Sequence, residues 1–378
     1  MKRVLIFFLL MTIVAGSFSQ TVGFIRRYDG SIGKESVVLN LKIIDTTLQG
    51  SFYFVKVGQT ILLSGSILNE VVSAKEVFND SVIGIFSGTS TPDFTVIKGT
   101  LKNSASSNPV SFNWKQSHAA GSAILGVVAS NREYVWKTNS NGEHLGASGT
   151  YSYCYITSFG NDSVKLKVNG ELLEGAATDS DALSLKESAL DLMQEDFSDY
   201  QDAFDSAFAN SNTEQDAKFM DESPQIYKWD QQSSWEAIYN ENYILSVRAF
   251  YYEYRGGAHG NYSYSNIVFS LKSGEELSPE NLFKPGYENQ LKQLALIQLE
   301  KQFKAPSADA LKQQGFFLSN GLELTDNIFI QKNGIGFTYN PYEIAPYSFG
   351  SIDIFIPWSS LQSWIKPDGP LSWAIVKK

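Results

Sequence analysis

Ser36-Val-Val-Leu-Asn-Leu-Lys-Ile-Ile44, Gly50-Ser-Phe-Tyr-Phe-Val55 and Ile61-Leu-Leu-Ser-Gly-Ser-Ile67 follow one another with only short polar turns between them. Val82-Ile-Gly-Ile-Phe86, Phe94-Thr-Val-Ile-Lys-Gly-Thr-Leu101 and Val110-Ser-Phe-Asn-Trp114 continue the series. Apolar runs that alternate with polar residues and recur about every ten residues predict an antiparallel meander. Gly50, Gly65, Gly84, Gly88 and Gly99 fall inside or at the ends of these runs. Glycine in a strand marks a bulge or a sharp bend of the sheet. A strongly curved meander or small barrel is therefore expected over 20–120.

Working outward, residues 121–149 are richer in Ser, Gly, Asn and Ala, apart from a strand-like Tyr134-Val-Trp136. This stretch reads as a linker or boundary region. Beyond it, over 150–378, the pattern changes to mixed strand and helix. Tyr151–Phe159 and Val164-Lys-Leu-Lys-Val168 alternate like strands. Ser184-Leu-Lys-Glu187 is a capping-box pattern, and Leu185, Ala189, Leu192, Met193, Phe197, Tyr200, Phe204 and Phe208 then recur at helical spacing. Tyr243–Tyr254 and Asn266–Leu271 are further strands, and Tyr287–Phe303 is a second helix, apolar on more than one side. Asn333-Gly334 is a strong hairpin signal between Asn327–Gln331 and Gly336–Tyr339, and Ser351–Ile356 is one more strand. The expected class is α+β, with an antiparallel sheet carrying two helices on one face.

The first 19 residues read as a cleaved signal peptide. Lys2 and Arg3 precede the apolar Val4–Val14, and Ala15–Ser19 offers a small-residue cleavage site before Gln20. The apolar run falls short of the roughly 20 residues that span a bilayer. The protein is thus expected to be exported, periplasmic or extracellular, without stable membrane insertion. The formal charge of −10 becomes −12 once Lys2 and Arg3 are lost. Such a surface repels nucleic acid and anionic headgroups and favours a cationic partner, although charge of this kind also serves solubility alone. Cys154 is the single cysteine, so no intramolecular disulfide forms.

The residue types that carry chemistry are scattered. His118, His144 and His259 have no second His or Cys at metal-ligand spacing. Gly30-Ser-Ile-Gly-Lys34 lacks the spacing and the Ser or Thr of a phosphate loop. No Gly-x-Ser-x-Gly elbow is present, and Cys154 lacks a nucleophile's context. Nothing selects a carboxylate pair for glycan hydrolysis, which stays a minor reading. No catalytic residue, cofactor or metal is expected.

Two segments stand out. Tyr251-Tyr-Glu-Tyr-Arg-Gly-Gly-Ala-His-Gly260 ends a strand in a glycine-rich loop where His259 either contacts a ligand or fixes the turn through loop carbonyls. Tyr339-Asn-Pro-Tyr-Glu-Ile-Ala-Pro-Tyr-Ser-Phe-Gly350 is braced by two prolines. Its Tyr342, Tyr347 and Phe349 either form a binding hot spot or plug the sheet's end while Glu343 caps backbone amides.

Arg255-Gly-Gly-Ala-His-Gly260 and Tyr342-Glu-Ile-Ala-Pro-Tyr347 together resemble the paired signatures of the RsiV-type extracellular domain. The intervening Ser270–Leu277, Asn281-Leu-Phe283 and the following helix fit in order. The likeness is strongest over 240–360, and the N-terminal part resembles small Gly-rich β modules of exported bacterial proteins. The resemblance implies an α+β domain outside the membrane, used in the lysozyme-sensing anti-sigma factor to grip lysozyme and present as an accessory module of the peptidoglycan deacetylase PdaC. It implies a partner surface built from Tyr342, Glu343, Pro346, Tyr347 and Phe349 with Arg255 and His259. The expected function is a non-catalytic envelope binding protein for a cationic, lysozyme-like muramidase or other protein. The alternative is a cell-wall glycan or polysaccharide module that stacks sugars on aromatics such as Trp229, Trp235 and Tyr251–Tyr264.

Overall fold

The structure is a computed structural model that describes residues 18–56, 60–78, 81–103, 108–175, 177, 179 and 181–376. All but the last two residues of the expected signal peptide lie outside the described residues.

Eight strands come first: β1 (Phe18–Ile32), β2 (Glu35–Ile44), β3 (Thr47–Phe54), β4 (Thr60–Leu68), β5 (Val71–Phe78), β6 (Ser81–Ser90), β7 (Val96–Asn103) and β8 (Val110–Ser117). Each pairs antiparallel with the next, and the second half of β1 pairs with β8, from Arg27↔Ser117 to Ile32↔Phe112. The meander is thereby closed into an eight-stranded barrel. Tyr28, Leu39, Leu41, Phe52, Phe86, Phe112 and Trp114 fill its interior, which is a packed core rather than a channel. Gly88 and Gly99 face each other across β6 and β7. A Cβ on Gly99 would lie 2.2 Å from the Ser87 carbonyl oxygen, so only glycine permits this curl.

The first half of β1 leaves the barrel and pairs instead with β9 (Ile124–Thr138), from Phe18↔Arg132 to Ile25↔Leu125. One long strand is thus shared by two bodies. β9 pairs with β10 (His144–Ser158), so residues 121–149 are folded sheet and not a linker. Their small residues reflect close packing between long paired strands rather than flexibility.

Three helices follow: α1 (Asp162–Leu172), α2 (Ala182–Phe208) and α3 (Glu214–Glu222). The expected strand at Val164–Val168 is part of α1. Its side-chain alternation is real, but Asn161 caps the backbone N–H of Ser163 and Val164, and burial falls on Val164, Val168 and Leu172 at helical spacing. α2 carries its expected stripe from Leu185 to Phe204 into the core, capped by Asp181 rather than by Ser184. These helices form the crossover that lets β11 (Lys228–Glu241) pair parallel to β10, a geometry no hairpin reaches. β12 (Ile244–Tyr254) and β13 (Asn261–Ser270) then extend the same sheet antiparallel.

The chain continues through α4 (Pro279–Leu282), α5 (Glu288–Gln302) and α6 (Ala308–Gln313) to a separate three-stranded sheet. That sheet is β14 (Ile328–Gln331), β15 (Gly334–Tyr339) and β16 (Ile352–Pro357); the expected hairpin is present, but it turns through Lys332-Asn333, one residue earlier than expected, with Gly334 already paired to Gln331. α5 buries Leu291, Ala295 and Leu299 in one stripe, while Ile297 is exposed. The class is mixed α and β, but two details differ from expectation. The large sheet contains a parallel pair, and the two long helices serve different sheets, because α2 packs on β9 and β10 whereas α5 packs on β16.

One ionic cluster joins the three parts. The buried Glu241 carboxylate of β11 accepts from Arg27 of β1 and, at 2.9 Å, from Lys332 at the β14–β15 turn.

Candidate binding surface

The two loops singled out by sequence lie against each other. The 255–260 loop leaves β12 through Gly256 in the left-handed region (φ +76°), where a Cβ would sit 2.4 Å from the Ile226 carbonyl oxygen. Its last residue, Gly260, packs on the Tyr252 ring with no room for a side chain.

The 340–350 loop is clamped from its root. Asn340 Oδ1 accepts from the Tyr264 N–H at 2.7 Å, and its Nδ2 donates to the Tyr264 carbonyl at 3.0 Å. The Tyr342 N–H donates to the Ala345 carbonyl at 3.0 Å, and the Gly350 N–H to the Tyr347 carbonyl at 2.9 Å. Tyr347 crosses to the other loop. Its hydroxyl donates to the Gly260 carbonyl at 2.7 Å, and its ring stacks on His259 with centroids 4.3 Å apart. The Tyr262 hydroxyl accepts from the Ser351 N–H at 3.1 Å and closes the junction.

Tyr342 stands at the tip. Its backbone is left-handed (φ +72°), the residue is 59% exposed, and its ring lies 5.8 Å from that of Tyr347. A non-glycine residue in that region costs about 1–3 kcal/mol and persists only where its surroundings impose it. Here the Tyr342–Ala345 hydrogen bond and the Asn340 clamp impose it.

The structure thus brings His259, Tyr342, Pro346 and Tyr347 into one corner, in which His259 and Tyr342 are exposed and Pro346 and Tyr347 half-buried. The other sequence candidates sit differently. Glu343 is exposed, yet its Oε2 accepts from the Asn340 N–H, so it caps its own loop. His259 Nδ1 lies 2.9 Å from the Gly260 carbonyl, which ties the ring to the turn. Phe349 turns inward against Phe303 and Phe316. Arg255 bonds to Glu253 and lies over Tyr200 and Trp229, toward α2 and away from the corner. Trp229 is core, and Trp235 is half-buried and stacked on Tyr153, so neither offers a sugar platform. Tyr262, Tyr264 and Asn340 lie in the segments the sequence marks, the tyrosines as candidate sugar-stacking aromatics, but nothing in the sequence shows that they bind the two loops together.

Elsewhere the reactive residue types are structural. Burial pushes the Cys154 thiol up to about 12, and burial likewise holds the Tyr153 phenol and its partner Asp196 above their ordinary values. Among the described residues no group of three His, Cys, Asp or Glu is arranged to hold a metal ion, and no helix is long and apolar enough to cross a membrane.

Fold and corner together define a barrel-bearing, mixed α and β protein with an exposed aromatic turn. Residues 147–262 match the family model described as Deacetylase PdaC, and residues 280–359 match Protein of unknown function (DUF3298). A DUF3298 family member from Bacteroides fragilis is 21% identical, with a TM-score of 0.53 over 69% of this chain and 100% of its own. A DUF3298 family protein from Pseudomonas aeruginosa is 14% identical, with a TM-score of 0.43 over 68% of this chain and 98% of its own. No curated protein matches the chain. The C-terminal part of the chain is of the PdaC/DUF3298 type.

Proposed function

We propose that this protein is a non-catalytic, exported binding protein of the cell envelope that grips a cationic, lysozyme-like muramidase at the corner formed by His259, Tyr342 and Tyr347. The observation that carries the reading is Tyr342, an exposed aromatic held in a strained backbone conformation by a turn that is itself clamped to β13. A large ring already fixed in place loses little entropy on binding, which is how a few residues come to dominate an interface. The likeness of both loops to the RsiV-type extracellular domain, and the charge of −12 after loss of Lys2 and Arg3, favour a basic partner of that kind. Opposite net charges would steer the two proteins together, faster at low salt than at high.

The test is calorimetric titration of the mature protein with hen lysozyme at about 25 mM and about 150 mM salt, beside an assay of muramidase activity. Heat of binding that weakens with salt, with inhibition of the muramidase, supports the proposal. Absence of both overturns it.

A further inference from the structure

The sheet from β9 to β13 has two unlike faces. On one, Tyr151, Tyr153, Gln231 and Ser233 are buried, with α2 packed against the tyrosines. On the other, Asn131, Thr150 and Gln232 are exposed and stand side by side, continuing through Tyr252 to Tyr262 as one cross-strand row. A second row runs Ala129, Ser152, Ser234, Phe250, Tyr264. Four inter-strand spacings make each row roughly 19 Å long. The barrel forms a wall beside the floor with Lys42, Thr47 and Gln49, enclosing a groove of about 460 Å³. That is within the usual range for ligand sites, about 300–1,000 Å³.

Neither row of the floor carries a charged side chain, on a protein whose surface is otherwise strongly acidic; on the wall Lys42 is neutralised by Glu236, and Asp45 stands exposed at the groove's edge. Amides and hydroxyls both donate and accept, so they suit a ligand rich in hydroxyl and amide groups. The Ser152 hydroxyl on the floor is buried without a protein hydrogen-bond partner, and such a group calls for a ligand or an ordered water. At the far end the half-buried rings of Phe250, Tyr264 and Tyr262 follow one another, with centroids 5.1 and 6.1 Å apart and planes inclined at 42° and 80°. They add apolar contact area at that end of the rows. Nothing apolar stands between Asn131 and Gln232 to serve as a protein anchor, and cations to hold nucleic-acid phosphates are lacking on this floor.

We infer that this groove binds an uncharged polysaccharide strand laid across β9–β13, at a site separate from the partner corner. The two sites adjoin at the aromatic end of the rows, where Tyr262 lies 5.8 Å from Tyr347, Tyr252 packs on Gly260 and Asn340 is clamped to Tyr264.

The experiment is depletion of the mature protein from solution by chitin, cellulose and curdlan, three uncharged insoluble polysaccharides, with bound fractions fitted to affinities. At least one of the three should deplete the wild type. Thr150→Val combined with Gln232→Ala removes two polar contacts and should weaken that binding about tenfold or more. Thr150→Val alone keeps the β-branched shape and provides a folded variant should the pair be unstable; a several-fold loss is expected from it. Tyr342→Ala should leave polysaccharide binding unchanged, which separates this site from the corner even if lysozyme fails to bind there. No depletion by any of the three, or equal binding by wild type and the groove variants, overturns the inference.

Discussion

Tyr347→Phe deletes one oxygen atom and tests whether the two loops hold each other rigid. The lost hydroxyl donates to the Gly260 carbonyl at 2.7 Å, and Gly260 is buried. A hydrogen bond of this kind contributes about 0.5–1.5 kcal/mol, and an orphaned acceptor raises the loss toward about 1–3 kcal/mol. His259 Nδ1 sits 2.9 Å from the same oxygen and partly replaces the donor, so the lower range applies. About 1 kcal/mol is a roughly fivefold change in the local opening equilibrium. Hydrogen exchange resolves it. The Tyr342 and Gly350 amides, which bond to Ala345 and Tyr347, should exchange about fivefold faster, while amides of central β12 should be unaffected. Unchanged exchange in the 340–350 loop would refute the idea that the Tyr347 bridge braces the corner. A uniform increase across β12 would show that Tyr347 supports the whole domain instead.

Glu241→Ala should destabilise the protein by about 3–5 kcal/mol, because it strands the largely buried Arg27 without its main partner. Lys332→Ala should cost about 1 kcal/mol or less, since that lysine is 40% exposed; chemical denaturation giving equal losses would contradict the cluster's asymmetry. Glu76 lines the barrel beside Val72 and Ala74, and burial holds its carboxyl above the ordinary value. As pH rises through about 4.3 the unfolded chain releases this proton first. The stability contributed by the protonated form is therefore full below that pH and lost as pH passes the higher folded value. Glu76→Gln should melt above the wild type at pH 7.5 and lose that advantage by pH 4; a gap independent of pH would exclude ionisation as its cause.

Elements with strong local periodicity were legible in the sequence. The glycine-punctuated runs from Ser36 to Trp114, the stripe from Leu185 to Phe204 and the hairpin marked by Asn333-Gly334, whose turn falls one residue earlier, all encode their geometry within a few residues. What depends on distant pairing was not. Nothing near Ile25 or Arg27 announces that β1 changes partner between them, from Leu125 of β9 to Ser117 of β8. The parallel match of Gly146 with Lys228 is equally silent, as it is set by a crossover of about 70 residues. Val164–Val168 misled because five alternating residues fit a strand and a short helical stripe alike, and the Asn161 cap decides between them. At the corner, the aromatic and glycine content marked both loops. Only the fold separates the exposed His259 and Tyr342, with the half-buried Tyr347 that links them, from Arg255 and Phe349, which turn to α2 and to the core.

The most direct measurement is a side-by-side calorimetric titration of wild type and Tyr342→Ala with lysozyme, with thermal melts of both proteins. Truncating a central, exposed aromatic anchor should weaken binding by at least about 2 kcal/mol, roughly thirtyfold. The melting temperature should change little, because Tyr342 is largely exposed and alanine keeps the Cβ that the left-handed backbone strains. Equal affinities for the two proteins would contradict a binding role for the corner.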